Sequence, residues 1–276
     1  MSSPARDRRS SSNEPLIKQA WETDYAEYIP QDPRAVLVIG HCYPWADGTR
    51  TARQLAEHAR RYAERWRPFA DREKVILIIP ALGSGKHAGY RELVPVDGIR
   101  ADLVVNQLVD HYRTLLPMGA HSGFFMYGHS AGAQFACRYA LAHPDRLRGL
   151  VLSAPGRYAF PDPAVSWPYG MGSTTEKNPP HPQLAIPFPS AWTKVACGLP
   201  TNIVVGSRDT SLQAEAPGHP RRSRLDHAIQ WKTAMNDLAA ASTCPRRVEL
   251  TLVPGASHDP AGLLTVSQRV LSAQMR

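Results

Sequence analysis

The chain has 276 residues, of which 43% are hydrophobic, and carries 32 Lys+Arg against 24 Asp+Glu for a net charge of +8. That length suits one sizeable α/β core. Arg6, Arg8 and Arg9 against Asp7 account for two of the charges, leaving +6 spread along the rest of the chain, so no nucleic-acid-binding module stands out.

Residues 1–13 are rich in serine and arginine, without the apolar stretch of a secretory leader or a membrane span, and read as a disordered basic tail before a domain of residues 14–276. The four cysteines, Cys42, Cys137, Cys197 and Cys244, have no metal-ligand spacing. Reduced thiols and a cytoplasmic location are expected, with no metal, no organic cofactor and no membrane span.

Asp24 to Ile29 alternates weakly and ends at Pro30, as a short edge strand does. Ala35–Ile39 and Val75–Ile79 are continuous apolar runs of the kind found in buried parallel strands, and a helical pattern from Thr51 to Trp66 separates them. In that helix Arg60, Arg61, Arg65 and Arg67 form a solvated face opposite Leu55, Tyr62 and Trp66. The alternation continues with helix Ile99–Leu116, strand Gly123–Tyr127, helix Ala131–Leu141 and strands Leu150–Leu152 and Asn202–Val205. Helix Ser223–Ala241, strand Val248–Val253 and helix Ala261–Gln274 complete it. This order predicts a doubly wound, mostly parallel sheet with right-handed crossovers.

Pro155–Pro200 breaks the rhythm with ten of the 25 prolines and six aromatics, among them Tyr158 and Trp167. So proline-rich a segment cannot be one regular helix, and its aromatics predict a lid or pocket wall with Tyr158 and Trp167 against the substrate. Lys86 and His87, after the second core strand, are placed to add polar contacts. Arg221, Arg222 and Arg224 read as a solvated loop with an alternative role in attracting an anionic substrate.

Gly128-His129-Ser130-Ala131-Gly132 lies where a strand turns into a helix. There G-x-S-x-G forms a tight elbow that exposes the serine hydroxyl, and small neighbours prevent a backbone clash. A serine hydroxyl needs a base within hydrogen-bond reach and a carboxylate to orient that base. His258 follows the last strand and Asp209 follows the strand before it, both at the carboxyl edge of the sheet. The chain order is then serine, aspartate, histidine. Asp162 is the rival acid, whereas Asp226 and Asp237 fall within a helix and Asp259 is expected to serve its own loop. Oxyanion donors are expected from the backbone N–H of Ala131 and, in the loop Gly40–Trp45, that of Cys42, with His41 or Tyr43 as alternatives; Tyr43 is also a candidate substrate contact.

Gly128–Phe135, His143–Arg146, Ser153–Tyr158, Gly206–Thr210 and Val253–Asp259 together resemble the α/β-hydrolases. Within that superfamily they are similar to bacterial esterase-like proteins grouped with polyhydroxyalkanoate depolymerases and dienelactone hydrolases. The resemblance implies the α/β-hydrolase fold with a lid-like insertion, Ser130 as nucleophile, His258 as base, Asp209 as acid, and a small-molecule ester, thioester or polyester-derived oligomer as substrate. The family usually has His-Gly after the first core strand, where this chain has Gly40-His41. A non-catalytic ligand-binding protein is the alternative from another class, and an acyltransferase, a peptidase or a hydroxynitrile lyase would use the same three residues.

Overall fold

A computed structural model describes residues 15–20, 23–42, 51–84, 87–94, 99–120, 123–172, 190–214, 221–244 and 248–276. The core strands are β3 (Ala35–Gly40), β4 (Val75–Pro80), β5 (Phe124–His129), β6 (Leu147–Ser153), β7 (Thr201–Gly206) and β10 (Glu249–Val253). They are parallel, and β2 (Thr23–Tyr28) and β1 (Leu16–Ala20) add an antiparallel margin, giving the order β1-β2-β4-β3-β5-β6-β7-β10. The residues of β4, β5 and β7 are buried throughout because helices cover both faces of the sheet.

Alternate residues of each strand supply the two cores. Leu37 and Ile39 pack with α1 (Ala52–Glu73) and α6 (Pro260–Met275), whereas Val36 and Val38 pack with α2 (Ala101–Arg113), α3 (Ala131–Ala142), α4 (Ser190–Gly198) and α5 (Arg224–Ala241). Thr51 and Gln54 form a capping box at the start of α1. That helix runs past Pro68, well beyond the predicted end at Trp66, because Trp66, Phe69 and Ala70 continue one buried face.

The chain leaves β3 for β4 on one side and returns to β5 on the other. Gly40 and Gly128 therefore pair at the carboxyl ends of adjacent strands. This is the topological switch point, where open α/β sheets gather their ligands.

Three further features depart from the sequence reading. β1 was not expected, since four of its five residues are exposed. The described parts of Pro155–Pro200 are fastened to the body: Trp192 is fully buried in α4, Trp231 Nε1 donates to the Ala159 carbonyl at 2.8 Å and buried Arg138 Nε donates to the Pro168 carbonyl at 2.8 Å. Finally, Cys197 and Cys244 are joined in a disulfide, their Cα atoms 5.3 Å apart, so the expectation of reduced thiols is corrected and the cytoplasmic reading loses that support. These two cysteines lie at the end of α4 and in the turn after α5, with β7 and the short strands Leu212–Ala214 and Arg221–Ser223 between them in the chain, a proximity that sequence spacing does not reveal. The expected basic tail lies outside the described residues.

On the chain-entropy account, a bridge between residues 47 apart is worth about 4 kcal/mol. Denatured without reductant, the protein should show two reactive thiols, Cys42 and Cys137, and four after reduction. Four before reduction would contradict the bond.

Candidate active site

Ser130 sits between β5 and α3 at φ 53° and ψ −111°, a left-handed angle that costs a non-glycine residue roughly 1–3 kcal/mol. Neighbouring backbone holds it there: its N–H donates to the Ser153 carbonyl at 2.8 Å, and its own carbonyl accepts from Gln134 N–H at 3.1 Å. A β-carbon on Gly132 would overlap the Gly40 carbonyl, and one on Gly40 would lie 2.8 Å from the Gly132 carbonyl oxygen. The start of α3 thus presses directly on the end of β3. Helix geometry leaves the first amides of α3, Ala131 among them, without an intrahelical acceptor.

His258 Nε2 lies 2.9 Å from Ser130 Oγ, and His258 Nδ1 lies 2.8 Å from Asp209 Oδ2. An ionised carboxylate only accepts, so Nδ1 carries the proton and Nε2 is left to accept from the Ser130 hydroxyl. Asp209 is buried. Burial alone would raise its pKa, but the His258 hydrogen bond and the charges of His258 and Arg224 outweigh it and hold the carboxyl below the ordinary range. The Arg224 contribution is direct: Nη1 donates to Asp209 Oδ1 at 3.0 Å from the first turn of α5.

Two other histidines line the neighbourhood as neutral groups. His129 Nδ1 lies 2.9 Å from Ser153 Oγ and its ring packs 5.1 Å from that of His258. Burial, then the charge of His258, lowers its pKa to about 3. His41 is buried beside Cys42, and burial lowers its pKa as well. Cys42 N–H donates to the Tyr62 hydroxyl at 3.4 Å, at the weak end of the range, while burial raises the pKa of the Cys42 thiol.

Other expected residues fall elsewhere. Tyr158 is fully buried and stacks on Trp231 at 5.1 Å, and Trp167 is 6% exposed with Nε1 donating to the Glu92 carbonyl, so both are core residues and offer no surface to a substrate. His87 is buried, and Tyr43 and Lys86 lie outside the described residues. Asp162 Oδ1 accepts from Ala164 N–H in its own turn, Asp226 completes a capping box with Ser223, and Asp259, expected to serve its own loop, caps α6 by accepting from Ala261 N–H. Arg224 read as part of a solvated loop. The short hairpin β8–β9 (Leu212–Ala214 and Arg221–Ser223) delivers it to Asp209, and no local pattern signals that contact.

Among the described residues no helix is long and apolar enough to cross a membrane, and no group of three or more His, Cys, Asp or Glu side chains could hold a metal ion.

Residues 53–255 match the family model described as Serine aminopeptidase, S33. The structure is similar to poly(aspartic acid) hydrolase-1 from Sphingomonas sp. KT-1, with a TM-score of 0.67, 18% identity, and coverage of 93% of this chain and 97% of that one. It is also similar to LpqC, a poly(3-hydroxybutyrate) depolymerase from Bordetella parapertussis, with a TM-score of 0.62, 21% identity, and coverage of 91% and 82%. A third neighbour is the S-formylglutathione hydrolase FrmB from Staphylococcus aureus, with a TM-score of 0.57, 14% identity, and coverage of 95% and 98%. At such identities the likeness is one of fold. No curated protein matches the sequence.

The depressed His129 pKa carries a pH dependence. Between the ordinary histidine value of about 6.5 and the folded value of about 3, the unfolded chain binds a proton that the native state refuses, so stability falls as pH drops, by up to about 1.4 kcal/mol per unit. Urea midpoints measured from pH 7 to pH 5 should fall, and His129→Gln should make the slope shallower. An unchanged slope in the variant would contradict the assignment.

Proposed function

The chain belongs to the Serine aminopeptidase, S33 family of α/β-hydrolases, and from that membership we propose that it is a serine hydrolase cleaving carboxylic esters through an acyl-serine intermediate. The observation that carries this reading is the continuous relay from Ser130 Oγ through His258 to Asp209, at 2.9 and 2.8 Å.

Ser130 Oγ attacks the ester carbonyl carbon as its proton passes to His258 Nε2, and Asp209 stabilises the imidazolium through Nδ1–H. The oxyanion is received by the Ala131 N–H and by the Cys42 N–H, which exchanges its 3.4 Å bond to Tyr62 for the stronger charged acceptor. His258 then protonates the departing alcohol. Water gives a proton to the same nitrogen as it attacks the acyl-serine, and His258 returns that proton to Ser130 Oγ as it leaves, releasing the carboxylic acid and restoring the hydroxyl. Ser130 is a better nucleophile here than Cys42, whose thiol burial keeps protonated.

The family description makes a peptidase the second reading. An aminopeptidase holds the protonated amine of its substrate beside the scissile bond, a task for carboxylates. The acid loop and the hairpin beside it carry Arg208, Arg221 and Arg222, and Arg224 follows in α5; this excess of cations disfavours an ammonium group and favours the ester reading. The described part of Pro155–Pro200 serves as a fixed wall in this proposal.

Hydrolysis of short 4-nitrophenyl esters tests it. Ser130→Ala and His258→Ala should each lower kcat by on the order of 10⁴-fold or more, and Asp209→Asn by about 10⁴-fold with little change in KM. Equal rates in wild type and Ser130→Ala would overturn the proposal, and turnover of aminoacyl anilides in preference to esters would favour the peptidase.

A further inference from the structure

Arg224 does more than its contact with Asp209 requires. Only Nη1 reaches the carboxylate, whereas Nε is buried and has no hydrogen-bond partner. An unpartnered buried N–H is costly and points to a missing acceptor. Its surroundings show where that acceptor would sit. A β-carbon built on Gly156 would lie 3.8 Å from Arg224 Nε, 3.4 Å from Gln134 Nε2 and 3.7 Å from Gln213 Oε1. Three polar termini from three separate elements therefore converge above a residue with no side chain. Gln134 is itself only 8% exposed. The floor is fixed from behind, because His227 Nδ1 lies 3.2 Å from the Gly156 carbonyl oxygen.

We propose that this cradle is a carboxylate subsite, and that the enzyme prefers esters whose acyl group ends in a carboxylate. The inference rests on the hydrolase reading above and specifies its substrate class. Arg224 Nε and Gln134 Nε2 are two donor nitrogens within 4 Å of one point, a pairing that the two oxygens of a carboxylate can satisfy. Gln213 contributes its amide N–H after a rotation of its terminal group, since the two ends of the amide have the same shape. The charge balance favours the ligand although Asp209 already pairs with Arg224: Ser153–Arg157, Gly206–Ala214 and Arg221–Asp226 together carry five arginines and two aspartates. The cradle adjoins the elbow. Gln134 N–H bonds the Ser130 carbonyl, so the cradle lies one turn of α3 from the nucleophile.

The test compares 4-nitrophenyl hemiglutarate with the uncharged 4-nitrophenyl valerate, each corrected for its rate with the Ser130→Ala protein. Wild type should show kcat/KM at least about 10-fold higher for the hemiglutarate, a preference that shrinks with added salt. Arg224→Gln will slow both esters by loosening Asp209, so the readout is the ratio: it should fall by about 10- to 100-fold, mainly through KM for the charged ester. Gln134→Met should lower the same ratio by about 3- to 10-fold. Arg224→Lys, which keeps the charge and loses the fork, should retain part of the preference. Hydrolysis of both esters with no preference in wild type, or a ratio unmoved by Arg224→Gln, overturns the subsite and leaves the hydrolase reading standing. Hydrolysis of neither ester overturns the hydrolase reading and the subsite with it.

Discussion

The close passage of the Gly132 and Gly40 backbones is the constraint on which the site depends. β3 and β5 lie side by side at the switch point of the sheet, and α3 must begin almost on top of them. Any side chain at Gly132 would push the helix away, and with it the left-handed turn at Ser130. The strain at that turn is sustained because the sheet holds one end, through Ser153 on β6, and the helix the other, through Gln134 in α3. The other participants come to this fixed point from the same sheet edge, Asp209 from the loop after β7 and His258 from the loop after β10. Those loops are joined to one another, since Arg208 N–H donates to the Ala256 carbonyl at 2.9 Å and Gly255 N–H donates to Ser207 Oγ at 2.9 Å.

The electrostatics follow from burial. A carboxylate as enclosed as Asp209 is tolerated only when paired and hydrogen-bonded. His258 and Arg224 divide its two oxygens between them. The histidine side of that arrangement holds the tautomer that leaves Nε2 facing Ser130, and the arginine side keeps the acid ionised. Arg224 reaches it because the capping box of Ser223 and Asp226 fixes the start of α5, so a helix cap on the far side of the hairpin helps to place the acid. His129 fills the space under His258 as a neutral ring and adds no charge to compete with the relay.

Much of this was legible in the sequence. Continuous apolar runs gave away β3 to β7 because strands buried on both faces need them. Ser130, Asp209 and His258, which the sequence orders one after another behind strands of the sheet, lie within hydrogen-bond reach of their neighbours in the relay. What escaped depends on contacts between distant segments. β1 is mostly exposed and has no core pattern, and Arg224 has the composition of a solvated cluster until the hairpin folds it back. Tyr158 and Trp167 stand in a proline-rich stretch that reads as an excursion, yet Trp231 of α5 and the main chain of Glu92 bring them into the core. The Cys197–Cys244 bridge likewise depends on how α4 and α5 pack.

The most direct measurement is the intact mass of the protein after exposure to a fluorophosphonate, with the modified peptide mapped. The account predicts a single adduct on Ser130 in wild type, with adduct formation slowed by several orders of magnitude in a folded His258→Ala protein. No adduct on folded wild type, or equally fast labelling without His258, would mean that the relay at the elbow does not activate the serine, and the central claim would fall.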